Sequence, residues 1–221
     1  SGTSISFGSS TNWSPANQGY GSVTYIGSSK FLIGYTGSSD AGTALVATLS
    51  GTSLSYGSSS EFRSYQTFDI SSAYDSSTGK AVMVYRDNFS NGRVAVATIS
   101  GTSVSFGSDT IFAANGVVSS GDTSKTAISY DSTNDKMVIS YQDNSNSNYG
   151  TIIVGTVSGT SISFGTPVVF EAASTNYTTS AFDTNSGKVV IAYRDQGNSN
   201  YGTSVVFQNA NVTTNLTSEN Y

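Results

Sequence analysis

Apolar residues in this chain come in short runs of Val, Ile, Tyr and Phe, cut apart by Ser, Thr, Gly and Asn. Such runs read as many short strands joined by turns. The stretch from Ser71 shows the pattern in full: Ser71 to Tyr74, Lys80 to Arg86, Arg93 to Ile99 and Thr102 to Phe106 read as four strands, called a, b, c and d. Between a and b stands Asp75-Ser-Ser-Thr-Gly79, in which Asp can cap the turn and Gly can take a positive φ. Ser100-Gly101 marks a tight hairpin between c and d. Strand b is apolar on both faces, as a strand between two neighbouring sheets must be. Strand d alternates, with Val104 and Phe106 on one face and Ser103 and Ser105 on the other, which predicts a half-exposed outer edge.

The pattern repeats. Ser-Gly-Thr-Ser-aliphatic-Ser-aromatic-Gly begins at Ser1, Ser50, Ser100 and Ser158, and a Lys-led strand b runs Lys30 to Tyr35, Lys80 to Tyr85, Lys136 to Tyr141 and Lys188 to Tyr193. A repeat of roughly fifty residues that contains one sheet is the signature of a stacked or radial architecture. The count is offset, because the chain opens on a lone strand d, Thr3 to Phe7, and stops after the last strand c, Thr203 to Phe207. In a ring the first strand completes the last sheet and removes an exposed edge. The expected fold is therefore all-β, a four-bladed β-propeller of four-stranded antiparallel sheets closed by the N-terminal strand; a linear array of sheets and a two-sheet sandwich are the alternatives. The expected domain is 1–208, with blades at about 20–57, 70–112, 125–170 and 178–208 plus 1–8, followed by a tail, 209–221, leading towards a further domain. Ile5, Leu54, Val104 and Ile162 should be equivalent and buried, as should Phe7, Tyr56, Phe106 and Phe164. Closure would gather the short, uniform a–b and c–d turns on one face and the variable b–c and d–a loops on the other, which is then the candidate binding face.

Composition narrows the chemistry. The chain has no Cys and no His, which removes disulfides, thiolate and imidazole catalysis and the usual zinc ligands. Its net charge is -5 and only 10% of its residues are charged, so no nucleic-acid partner is expected. No run approaches the ~20 apolar residues of a spanning helix, and no membrane insertion is expected.

The run from Tyr130-Asp131-Ser132 or Phe182-Asp183-Thr184 through Gly-Lys-Val-Val-Ile-Ala-Tyr-Arg-Asp, Asn-Ser-Asn-Tyr-Gly and Val-Ser-Gly-Thr-Ser-Ile-Ser-Phe-Gly resembles a propeller repeat of marine phage and bacterial surface proteins. That resemblance implies a virion, tail-fibre or extracellular setting and assigns no catalytic residue. The first unit departs from it, with Ile26-Gly27-Ser28 in place of the Asp turn and Thr36-Gly37 in place of Arg-Asp.

Candidate ligand residues lie where strands enter the variable face. Asp87, Asp143 and Asp195 end the b strands, where they read as Asx turns or as a ring of charges. Neither Asn-rich loop after Asp143 or Asp195 has the spaced carboxylates and final Glu of a calcium loop, so no metal and no cofactor is expected. The d–a segments contribute Trp13, Arg63, Tyr65 and Tyr177, aromatic and polar groups suited to a sugar or a protein surface. Phe68, Phe112 and Phe170 read as core caps instead. The expectation is a non-catalytic module that binds a glycan or host-surface receptor at the extracellular or virion surface, with other virion or surface-protein subunits as further partners. A structural spacer and a sialidase-like hydrolase are the alternatives. The hydrolase is disfavoured because only four Arg and three Glu are present, and the Arg are spread over different units.

Overall fold

The structure is a computed structural model that describes residues 7–14, 19–114 and 126–209. Among these residues there is no α-helix, and none therefore long and apolar enough to cross a membrane. The first unit holds β1 (Gly19–Gly27), β2 (Lys30–Thr36), β3 (Ala41–Ser50) and β4 (Ser53–Tyr56). The second holds the latter part of β5 (Ser60–Asp75), then β6 (Lys80–Asp87), β7 (Gly92–Ser100), β8 (Ser103–Phe106) and the short β9 (Thr110–Ala113). The third holds β10 (Thr126–Asp131), β11 (Lys136–Asp143), β12 (Tyr149–Ser158) and β13 (Ser161–Phe164). The fourth holds the latter part of β14 (Val168–Asp183), then β15 (Lys188–Asp195) and β16 (Tyr201–Phe207). All pairing is antiparallel, in two continuous ladders that each join two units.

The joints are long strands where the sequence predicts loops. In β5, Ser60 to Gln66 pairs with β3, and after a register shift Thr67 to Asp75 pairs with β6. β14 bridges β12 and β15 in the same way. The physical reason is backbone satisfaction: the short β4 covers only the end of β3, from Ala47 to Ser50, so the rest of that edge takes its hydrogen bonds from the crossover segment.

Local turn chemistry follows the sequence. Asp75 Oδ1 accepts from the Ser77 and Thr78 amides at 2.9 and 3.1 Å, and Gly79 closes the turn at φ +68°. Asp131 caps its own turn through the Thr133 and Asn134 amides. The first unit, lacking Asp, turns instead on Gly27, Ser28 and Ser29, all with positive φ.

Among the described residues three core clusters lie between units, and a fourth, Ile33, Tyr35, Leu45 and Ala47, lies on the first unit's sheet with Trp13, Phe31 and Tyr56 against it. Leu32 and Val46 pack on Met83, Tyr85 and Val104; Val82, Val84 and Val96 on Met137, Ile139 and Ile162; Val138 and Ile152 on Val189, Ile191 and Tyr193. Strand b is thus buried on both faces in the second and third units, as its apolar run predicts. Val104 and Ile162 are buried as expected, and Tyr56, Phe106 and Phe164 are partly buried. Leu54 and Phe7 are not: Leu54 is 39% exposed and Phe7 92%. Ile5 and most of the expected closing strand lie outside the described residues, as does the tail beyond 209. Phe7 itself is not in a strand. The ring closure that the expected closing strand would make lies outside the described residues with it.

Candidate binding site

The b–c and d–a ends of the strands gather the chain's charges in the second unit. Arg63 on β5, Asp87 at the end of β6, Arg93 at the start of β7 and Asp109 after β8 form one network. Asp109 Oδ2 accepts from Tyr85 Oη at 2.6 Å, Arg63 Nη1 at 2.9 Å and Arg93 Nη1 at 3.0 Å. Asp87, fully buried, accepts from the Phe89 and Asn91 amides, the Asn91 side chain and Arg93 Nε. Burial alone would raise both carboxyls, but the hydrogen bonds and guanidinium charges outweigh it and hold them below the ordinary value. Burial, then the bond to Asp109, pushes the Tyr85 hydroxyl far above the usual tyrosine range. The network is a rigid set of fixed charges, with Asp109 ionised and Tyr85 neutral.

This network braces a cavity of about 450 Å³ lined by Glu61, Phe62, Arg63, Ser64, Tyr65, Gly107, Ser108 and Asp109. Tyr65 is 66% exposed, and its ring centroid lies 5.5 Å from the Arg63 guanidinium carbon. A second cavity, about 270 Å³, occupies the corresponding place in the first unit and shares Glu61; its wall includes Tyr35, Ser38, Thr43 and Ser59. The repeat places Tyr35 where the second unit has Tyr85, and Ser59 where it has Asp109. One cavity therefore holds an Arg–Asp pair, while its neighbour is lined mainly by hydroxyls with Glu61 at their shared edge.

Of the candidate ligand residues, the structure brings together Arg63, Tyr65 and Asp87; only Arg63 and Tyr65 line the cavity, while Asp87 stands behind it as a strut. Asp143 and Asp195 lie in other units and accept from the Ser145 and Asn198 amides, so they form Asx turns at their strand ends. Tyr177 sits at a bulge with φ 54°, its ring 5.0 Å from the Arg194 guanidinium carbon. Trp13 is half-buried and meets Tyr35 edge-on at 4.6 Å. Phe112 meets Tyr141 and Phe170 meets Tyr193 in the same way, at 5.2 and 5.1 Å, and Phe62 meets Tyr85 at a tilt at 5.0 Å, so Trp13 takes a packing position of the repeat. Sequence reasoning missed Asp109, whose only signal is an acidic residue where the first unit has Ser59. It also missed the inner-strand bulge that recurs at Tyr20, Asp69 and Tyr177, all with positive φ.

Two solved structures resemble this chain in fold. NanB with Optactamide superposes with a TM-score of 0.56 at 13% identity, covering 81% of this chain and 29% of that one. The fold is that of a β-propeller. The Hadza microbial sialidase Hz136 matches at a TM-score of 0.53 and 12% identity, covering 86% of this chain and 43% of the sialidase. The chain thus spans less than half of either propeller protein. No protein-family profile matches the sequence, and no curated protein sequence does so.

Proposed function

We propose that this propeller is a non-catalytic carbohydrate-binding module displayed on an extracellular or virion surface, such as a tail fibre, and that its ligand is a neutral glycan. The reading rests on the Tyr65 cavity. An exposed aromatic ring offers the apolar face against which a sugar stacks, and the fixed donors and acceptors beside it suit ring hydroxyls. Charge balance points to a neutral sugar: Arg63 and Arg93 are already matched by Asp87 and Asp109, and Glu61 adds a further negative charge. An anionic sugar needs guanidinium groups left over. Hydrolysis needs two carboxyls that divide the acid and base roles. Here Asp109 is held ionised by three donors and Asp87 is sealed from the cavity, which leaves Glu61 alone. The neighbouring hydroxyl-lined cavity extends the same surface, so weak contacts along one oligosaccharide can add.

A glycan array followed by calorimetry on the hits tests this. Tyr65→Ala should abolish binding with the melting temperature unchanged, while Asp143→Asn and Asp195→Asn should leave binding intact. Binding that survives Tyr65→Ala, or an array that responds only to sialylated or sulfated glycans, refutes the assignment.

A further inference from the structure

The crossover strand β5 places Glu61 where the fold asks for no charge. In the register of the repeat, Glu61 stands opposite Thr43, Ile111 opposite Arg93 and Val169 opposite Thr151. The two equivalents of Glu61 are apolar and 41% and 40% exposed, so neither packing nor strand pairing requires a carboxylate at this place. Phe62 turns inward over Gly42 at the register shift, and Glu61 before it is left exposed. Among the described residues Glu61 makes no hydrogen bond and no ion pair, since Arg63 and Arg93 are both engaged by Asp87 and Asp109.

Both cavities have Glu61 in their wall. On one side is the space braced by Asp109, whose Oδ2 takes the donors of Tyr85, Arg63 and Arg93 and whose Oδ1 keeps its capacity to accept. On the other side are hydroxyls: Thr43, directly across the ladder, with Ser38 and Ser59. The larger cavity, about 450 Å³, lies within the ~300–1,000 Å³ of small-ligand sites, and the smaller, about 270 Å³, falls short of it. The smaller therefore extends the larger instead of serving as a site of its own. At their boundary the unused polar capacity is that of an acceptor, which matches a ligand edge made of donors.

Resting on the carbohydrate reading, we propose that Glu61 is the specificity-determining residue of the site and that the ligand is an oligosaccharide of at least two neutral hexoses with free hydroxyls on both sides of the linkage. One sugar stacks on Tyr65 and donates a hydroxyl to Asp109 Oδ1. The next lies along Thr43 and Ser59. The two oxygens of the Glu61 carboxylate accept one hydroxyl from each sugar. A hydrogen bond to a carboxylate is roughly twice as strong as one between neutral groups, so a sugar acylated or sulfated at those hydroxyls forfeits the strongest contacts of the boundary. An anionic substituent also meets charge of its own sign.

Calorimetry with glucose, mannose and galactose oligomers of one to four residues tests this on the wild type and on Glu61→Ala, Glu61→Gln and Tyr65→Ala. In the series that binds, affinity should rise about tenfold from one residue to two, the size of one hydrogen bond to a charged group. That gain should vanish in Glu61→Ala and be kept in part by Glu61→Gln, which retains an acceptor oxygen without the charge. Both Glu61 variants should melt with the wild type, because the side chain is exposed and unpaired among the described residues. If Glu61→Ala keeps the gain while Tyr65→Ala abolishes binding, the assignment of Glu61 fails and the carbohydrate reading stands. If Tyr65→Ala has no effect, or none of the oligomers binds, both fail. A glucosamine disaccharide with free amines that outbinds its neutral counterpart also overturns the assignment, because Glu61 would then pair with an ammonium group instead of hydroxyls.

Discussion

Replacing Gly92 with alanine places a methyl group in the space that Phe112 fills: the new carbon would stand 2.4, 2.7 and 2.9 Å from three atoms of that ring. Ordinary carbon contacts are about 3.5–4 Å, so the ring must retreat by about 1 Å. It has little room, being buried, held edge-on by Tyr141 at 5.2 Å and flanked at a tilt by Phe164 at 6.1 Å. Overpacking of this kind costs about 1–3 kcal/mol. Alanine recovers about 0.4–1 kcal/mol by restricting the unfolded chain, leaving a net loss of ~1–2 kcal/mol. For a chain of this length that lowers the melting temperature by roughly 2–8 °C. Gly202→Ala, at the same repeat position, meets no atom within 4 Å and should be neutral or slightly stabilising. Urea and thermal unfolding compare the two. If Gly202→Ala costs as much as Gly92→Ala, contact with the Phe112 ring is not what makes Gly92 necessary and the reasoning fails.

The charge network predicts two further results. Asp109→Asn keeps the shape but removes the charge that Arg63, Arg93 and Tyr85 share, and should cost about 1–3 kcal/mol by urea denaturation. An unchanged midpoint would show that the two guanidiniums find other partners. Asp87 and Asp109 are held below the ordinary carboxyl value of 3.8, so their contribution is fully present above that pH and is lost as pH falls through their lower folded values. The melting temperature should therefore be level from pH 7 to about 5 and fall below about 4, with a shallower fall in Asp109→Asn. An identical acid profile in that variant would remove Asp109 from the account.

Much of the fold was legible because its determinants are local. The strand runs, the Asp75 and Asp131 turns and the Ser100-Gly101 hairpin depend on residues a few positions apart, and four copies of one pattern required four similar units. Burial of strand b on both faces followed from its unbroken apolar run. The site was legible in part: the d–a segment pointed to Arg63 and Tyr65, and the ends of the b strands pointed to Asp87. That Asp87 is a strut, that Asp109 joins it, and that Trp13 repeats the role of Phe62 depend on contacts between segments far apart in the chain. The crossover strands became visible only once β3 was seen to need hydrogen-bond partners along its whole edge. By itself the sequence determined the repeating unit, its strands, its turns and the two apolar faces that each unit presents. Only the tertiary structure decided which residues of those faces meet, because side chains such as Phe112 seat on glycines such as Gly92 that belong to a different strand.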